Sequence, residues 1–183
     1  VDLETVTAEI TQVLITKEQI ETRIQELAKE IDAHYASKDV LLVGVLKGAV
    51  MFMADLSRAV QSRVQMDWMA VSSYGSGTTS SGVVRILKDL DADVLGKDVL
   101  IVEDIIDSGL TLSWLIANLE ARGAGSVEVV TLLRKPDAAK VDVEVRWVGF
   151  EIPNEFVVGY GLDYNERYRT LPGVAVLSPS VYS

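Results

Sequence analysis

The segment Val99-Leu100-Ile101-Val102-Glu103-Asp104-Ile105-Ile106-Asp107-Ser108-Gly109-Leu110-Thr111 constrains this chain more than any other. Its apolar, β-branched run reads as a strand buried on both faces, which calls for a parallel sheet covered by helices. Two adjacent acids follow, then a third, then Ser108-Gly109, and the spacing predicts a helix over 111–122 closed by Gly123. A strand passing through a short turn into a helix is the building unit of α/β folds. Such folds bind ligands beyond the carboxyl ends of their strands.

The same alternation recurs along the chain. Val40 to Leu46 is a continuous apolar run, and Gly48 to Val60 has helical length and composition. Met66 to Tyr74, Val127 to Leu133 and Val143 to Val148 read as strands, and Val83 to Leu90 as a return strand. Thr16-Lys17-Glu18-Gln19 forms a capping box for a helix whose apolar stripe is Ile20, Ile24, Leu27, Ile31 and Tyr35, ending at Ser37-Lys38-Asp39. His34 lies beside that stripe and reads as structural. Gly75 to Gly82 is too polar and glycine-rich to pack as an element and reads as a mobile loop. The fold class is α/β, a mainly parallel twisted sheet flanked by helices. With 183 residues, 49% of them apolar, one core is expected.

Composition excludes several functions. The net charge is -10 and the Lys and Arg residues are scattered, so neither nucleic acid nor an anionic membrane is an expected partner. No apolar run approaches the roughly 18 residues that span a bilayer. The absence of Cys removes disulfides, thiolate nucleophiles and thiolate metal sites, leaves oxygen as the main metal donor, and is compatible with a reducing cytoplasm. Position 1 is Val, so the native start is left open.

The turn carries two chemistries. Gly109 lets the backbone come close to a ligand, and the first N-H groups of the helix, with the Ser108 and Thr111 hydroxyls, suit a phosphate. Glu103 and Asp104 would repel that phosphate unless a hard cation such as Mg²⁺ lay between them. An ordinary helix cap would account for Asp107 alone, but not for the Glu103-Asp104 pair. There is no G-x-x-x-x-G-K-[ST], and Gly75-Ser76-Gly77 is not followed by a helix. Acid-acid-x-x-acid runs of prenyl-diphosphate enzymes lie on helices, whereas Val99 to Val102 and Gly109 here argue for strand and turn.

The segment resembles the phosphoribosyl-diphosphate motif of type I phosphoribosyltransferases: an apolar strand, Glu-Asp, two apolar residues, then Asp-Ser/Thr-Gly-x-Thr. From about Ile15 to Leu177 the chain is similar to the bacterial hypoxanthine-guanine branch of that family. The resemblance implies a single domain over 1–183, with a core about 36–147, a hood from about 1–20 plus 148–183, and a mobile lid about 73–84 that includes Ser73 and Tyr74. A solvated hairpin connection is the alternative for that last stretch. Val45-Leu46-Lys47-Gly48 would be the pyrophosphate loop, where Lys47 and Gly48 meet the leaving diphosphate after a peptide that can be cis. Arg169 would reach the same group.

By the same resemblance, Glu103 and Asp104 would hold the ribose hydroxyls directly or through metal and water. Ser108, Gly109, Leu110 and Thr111 would hold the 5′-phosphate. Asp107 would accept the purine proton. Lys135, in Leu133-Arg134-Lys135-Pro136, would donate to the purine 6-oxygen. An ammonium only donates, so adenine should be rejected. Without the resemblance Lys135 reads as a solvated strand-end lysine. In the stretch Phe150 to Glu166, Phe156 would stack on the base, the Val157 backbone would read its edge, and Asp163 would hold a second Mg²⁺ beside the purine. Composition alone places Phe156 in the core. Leu110 stands where some members carry a basic residue and Ala49 where some carry a glycine, which bears on affinity.

The implied activity is transfer of the phosphoribosyl group from phosphoribosyl diphosphate to N9 of hypoxanthine or guanine, giving IMP or GMP and pyrophosphate, with two Mg²⁺ ions held by Glu103, Asp104 and Asp163 in a cytoplasmic homodimer or homotetramer. Two alternatives stay open. One is a same-fold transferase for xanthine or a pyrimidine. The other is a non-enzymatic nucleotide sensor that binds RNA or DNA, against which the acidic charge and the Lys135-to-Asp163 pattern count.

Overall fold

A computed structural model describes residues 2–74 and 83–183. Among them, the helix α1 (Lys17–Tyr35) is capped by Thr16 with the reciprocal Gln19 bond, and all five residues of its predicted stripe are buried. The main sheet contains β2 (Val40–Leu46), β3 (Val64–Tyr74), β4 (Val83–Lys88), β5 (Asp98–Ile106), β6 (Ser126–Arg134) and β7 (Trp147–Glu151), in the order β4-β3-β2-β5-β6-β7. Only β4 runs antiparallel to its neighbour. Helix α2 (Val50–Ala59) joins β2 to β3, and α3 (Leu110–Ala121) joins β5 to β6.

Alternate residues of the central strands feed two cores. Leu42, Leu100 and Val102 pack with Phe52, Met53 and Leu56 of α2 and with the α1 stripe. Leu41, Val43, Val99 and Ile101 pack with Leu112, Leu115 and Leu119 of α3. This two-sided burial explains why β2 and β5 read as unbroken apolar runs. It also fixes the binding place. From β2 the chain crosses by α2 toward β3, and from β5 it crosses by α3 in the opposite direction toward β6. The crevice where the two crossovers diverge lies at the carboxyl ends of β2 and β5, as expected of a topological switch point.

The last sheet strand differs from expectation. A strand was predicted over 143–148, but β7 begins at Trp147 and pairs with β6 only from Val130 onward. The preceding chain is held elsewhere: Lys140 N and Val141 N donate to Ser108 O, at 2.9 and 3.3 Å, and this tethers it to the acidic turn. A second, three-stranded antiparallel sheet was not foreseen. It joins β1 (Ile10–Ile15), β8 (Val157–Val158) and β9 (Val174–Leu177) in the order β1-β9-β8. Polar residues break up β1, and β8 has two residues, so neither shows a strand period. Ser73 and Tyr74 end β3, and the predicted lid stretch after them, 75–82, lies outside the described residues.

Between β8 and β9 the chain folds back on itself and rests on the turn after β2. Gly159 and Gly161 have φ of 102° and 100°. A Cβ at position 161 would stand 2.1 Å from Gly48 O. Gly161→Ala should therefore cost at least about 1–3 kcal/mol from the left-handed conformation alone, with more from the backbone clash, as read by urea unfolding.

Candidate active site

The crevice is built from three turns that follow β2, β5 and β6. After β2, the Leu46-Lys47 peptide is cis, as the resemblance implied. Gly48 follows, and a Cβ there would stand 1.8 Å from Asp104 Oδ2. The Asp104 carboxylate thus fills the space that any side chain at position 48 would need. Ile105 N donates to Asp104 Oδ1 at 2.7 Å and holds the carboxylate in that direction. Glu103, the residue before it on β5, is 7% exposed.

Two neighbouring carboxylates in so dry a place resist ionisation. Burial raises Glu103 well above the usual carboxylate range, helped by the negative charge of Asp104 and a hydrogen bond between the two. Burial likewise pushes Asp104 up to about 6.

Hard oxygen donors of this kind suit Mg²⁺. Among the described residues no three carboxylate, histidine or cysteine side chains converge into a cage. Asp163 stands apart from the Glu103-Asp104 pair, bonded instead to Arg169 and to Glu166 N. The set fits an ion that takes one or two carboxylates and completes its octahedron with water and ligand oxygens, which is how Mg²⁺ usually binds.

The second turn opens α3. Gly109 caps the helix at φ 83°, in the left-handed region, and Ser108 Oγ accepts from Leu110 N at 3.3 Å. Position 109 also sits close to Val141 and Val143, where a Cβ would meet methyl carbons at 3.1 and 3.2 Å. The result is a compact, anion-ready turn carrying Ser108, Gly109, Leu110 and Thr111 at a helix N-terminus. Its floor is the 139–145 segment. The cleft there is lined by Asp107, Ser108, Gly109, Arg134, Lys135 and Lys140 among others.

Lys135 closes β6 and is 8% exposed, so it is not the solvated lysine that its position alone suggested. Its N-H donates to Ile106 O at 3.0 Å, and its ammonium lies 3.5 Å from Asp107 Oδ2. The two residues meant for the 6-oxygen and the N7 proton of a base, neighbours on one purine edge, meet in the cleft. Phe156 also departs from its composition: it is 40% exposed. Tyr182 stacks on it at 4.9 Å, and Tyr164 approaches edge-on at 5.7 Å. Val157 follows in β8, buried, its strand paired with β9.

The cations form the third group. Lys47 Nζ lies 3.0 Å from Glu166 Oε2, and Arg169 donates to Glu166 Oε1 at 2.9 Å and to Gly161 O at 2.7 Å. Arg169 also stands 3.4 Å from Asp163 Oδ1, and its Nε is buried with no hydrogen-bond partner among the described residues. Glu166, which sequence reasoning passed over, therefore bridges the two predicted diphosphate-binding cations. Its spacing was the available signal, three residues from both Asp163 and Arg169. Arg134 and Lys140 were also missed as cleft residues. His34 packs edge-on against Tyr35 and Trp147, at 4.8 and 5.3 Å, in keeping with a structural part.

Comparison with known proteins agrees with this geometry. The family model described as "Phosphoribosyl transferase domain" matches residues 12–165. The hypoxanthine-guanine phosphoribosyltransferase of Mycobacterium avium is 59% identical over 180 residues, 95% of this chain and 89% of the relative. That of Bacillus subtilis is 53% identical over 174 residues, 95% and 97% of the respective chains. Among solved structures, a hypoxanthine phosphoribosyltransferase from Staphylococcus aureus superposes with a TM-score of 0.95 at 46% identity, covering 98% of this chain and 97% of that one.

The buried acid pair has a measurable consequence in metal-free protein. Folding raises both carboxyl pKa values, so the folded state favours the protonated pair. Stability is full below the unfolded carboxylate range and falls as pH rises through the folded values, including about 6 for Asp104. Glu103→Gln removes the proton on which this loss depends. Urea unfolding in EDTA should find the variant and the parent similar near about pH 4 and the variant more stable near about pH 8, the two sides of the carboxylate range.

Proposed function

This chain belongs to the phosphoribosyl transferase family, and on that premise we propose that it moves the 5-phosphoribosyl group of phosphoribosyl diphosphate to N9 of hypoxanthine or guanine, releasing pyrophosphate with IMP or GMP. The observation that carries the reading is the approach of the Lys135 ammonium to Asp107, 3.5 Å apart on the base side of the crevice. One is a donor only and the other, as a carboxylate, an acceptor only. A 6-oxopurine offers both matches, an oxygen for Lys135 and an N7 proton for Asp107.

In this reading the substrate lies across the switch point. The 5′-phosphate sits in the turn Ser108-Gly109-Leu110-Thr111, held by first-turn N-H groups and hydroxyls. Because Leu110 brings no charge, backbone dipoles do that work. Glu103 and Asp104 orient the ribose hydroxyls, directly or through metal and water. Phe156 stacks on the base, and the Val157 backbone reads its edge. Lys47, the Gly48 N-H and Arg169 receive the diphosphate, and Ser73 and Tyr74 begin the stretch that the resemblance reads as a lid. Glu103 and Asp104 would hold one Mg²⁺ and Asp163 a second, and the ions would supply positive charge against the diphosphate oxygens.

The bond from C1 of the ribose to the diphosphate oxygen breaks as the bond to N9 forms, through a transition state in which the ribose resembles an oxocarbenium ion. The electron pair leaves with pyrophosphate. Asp107 takes the N7 proton, so positive charge does not build up on the purine. The site is open enough for this, since the Asp107 side chain is 58% exposed. The exposed side chains of Met66, Leu87 and Leu95 support a homodimer or homotetramer, and the enzyme is read as cytoplasmic.

Two measurements test the proposal. Purified protein with Mg²⁺ and phosphoribosyl diphosphate should form nucleotide with hypoxanthine and guanine and not with adenine or orotate. No product from any 6-oxopurine sinks the reading, and the xanthine arm of the same assay tests the nearest alternative. Asp107→Asn should keep the melting temperature and nucleotide binding while kcat falls by about 10²- to 10⁴-fold; unchanged turnover removes Asp107 from the mechanism.

A further inference from the structure

The diphosphate cations are already engaged. Lys47 and Arg169 each touch one oxygen of the same carboxylate, that of Glu166, at 3.0 and 2.9 Å. The carboxylate spans two cations, as two oxygens of a diphosphate would. Arg169 and Lys47 hold its carboxyl below the usual range, so it stays anionic. Three features make this contact suited to replacement. Both side chains of the Lys47-Glu166 pair are more than half exposed, at 66% and 61%, and exposed ion pairs are weak. The Glu166 backbone is fixed independently, by its N-H bond to Asp163 Oδ2 at 2.9 Å, at φ 62° in the tight turn where Tyr164 and Arg167 exchange backbone bonds. Arg169 stays in place without Glu166, because Gly161 O accepts from it and Asp163 is its other acid.

We propose that Glu166 is an internal counter-ion that competes with the diphosphate for Lys47 and Arg169, keeps ground-state affinity low, and speeds pyrophosphate release. Glu166 is a positioning residue here: it touches the binding groups and never the reacting atoms. The inference rests on the reading above in taking Lys47 and Arg169 as the diphosphate ligands. Binding the diphosphate equally tightly before and after reaction would slow turnover, and an anion that refills the site as product departs prevents that.

The test compares wild type, Glu166→Gln and Asp137→Asn by calorimetric titration with magnesium pyrophosphate and by the rate of pyrophosphate release after a single turnover. Asp137 is exposed and removes the same charge away from the bridge. Glu166→Gln should tighten pyrophosphate by roughly two- to fivefold, the size expected for loss of an exposed competing ion pair, and slow its release by a similar factor. Asp137→Asn should leave both unchanged. Unchanged or weaker binding in Glu166→Gln overturns the proposal, as does equal tightening in Asp137→Asn, which would show net charge alone at work. The Glu166 side chain is exposed, so a melting curve close to wild type is expected; if Gln unfolds the turn, Glu166→Asp, which keeps the charge but shortens the reach, should give the same direction of change. A wild type that forms no nucleotide yet shows the predicted difference in pyrophosphate affinity would count against the reading of the reaction and not against the role of Glu166.

Discussion

The structure turns on one steric fit, the Asp104 carboxylate lodged where a side chain at position 48 would be. That fit joins the ends of β2 and β5, the two strands from which the helical crossovers diverge. It requires glycine at 48, and Gly48 in turn presents its carbonyl to the second glycine contact, at Gly161. Through that contact the 159–169 turn, with Asp163, Glu166 and Arg169, is set beside Lys47. Three segments remote in sequence are thus placed within a few ångströms by two absent side chains. Packing density leaves little slack at such points, so the geometry of the crevice follows from the fold rather than from flexible side chains.

Charge is arranged on two scales in this crevice. Glu103 is buried and Asp104 beside it half-buried, and the conflict between the two carboxyls raises both above the usual carboxylate range. The other acids are paired with cations: Glu166 with Lys47 and Arg169 near the surface, Asp163 with the part-buried Arg169, and Asp107 with the buried Lys135. Exposed pairs such as Lys47-Glu166 contribute roughly 0–1 kcal/mol, far less than a multiply charged ligand can offer the same groups. The strongly conflicted pair therefore belongs to the rigid frame, and the weak pairs belong to the part that exchanges partners. The acids hold the cations in ready positions at little cost when they are replaced.

Much of this was legible in the chain because it is written in periodicity. The α1 stripe, the capping box, β2, β5 and α3 all carry strong local patterns; the structure keeps β2 and α3 to within a residue and runs β5 to Ile106, three residues past the Glu103 at which the strand was expected to end. What failed to show was non-local. The strand predicted over 143–148 moved because the backbone N-H groups of Lys140 and Val141 are bonded to Ser108 O, more than thirty positions earlier in the chain. The sheet of β1, β8 and β9 stayed hidden because its strands are short or mixed in polarity and gain their regularity only by pairing with one another. Phe156 reads as core by composition, and only the tertiary position of Tyr164 and Tyr182 shows an aromatic residue that leaves part of its ring to solvent.

Base choice is the property least visible in the acidic turn. On the proposed reading, the phosphate and ribose contacts come from the end of β5 and the turn after it, and any member of such a fold family can carry them. Discrimination needs a donor whose alternatives are costly. Lys135 is nine-tenths buried, with Asp107 within reach, so its ammonium cannot simply turn to water when a base lacks a 6-oxygen. An exposed lysine at the same position would discriminate weakly, because solvent would satisfy it; a buried one, on the proposed reading, would have only Asp107 to turn to when the 6-oxygen is missing. Burial of Lys135 is therefore what, on the proposed reading, would make a common residue type selective.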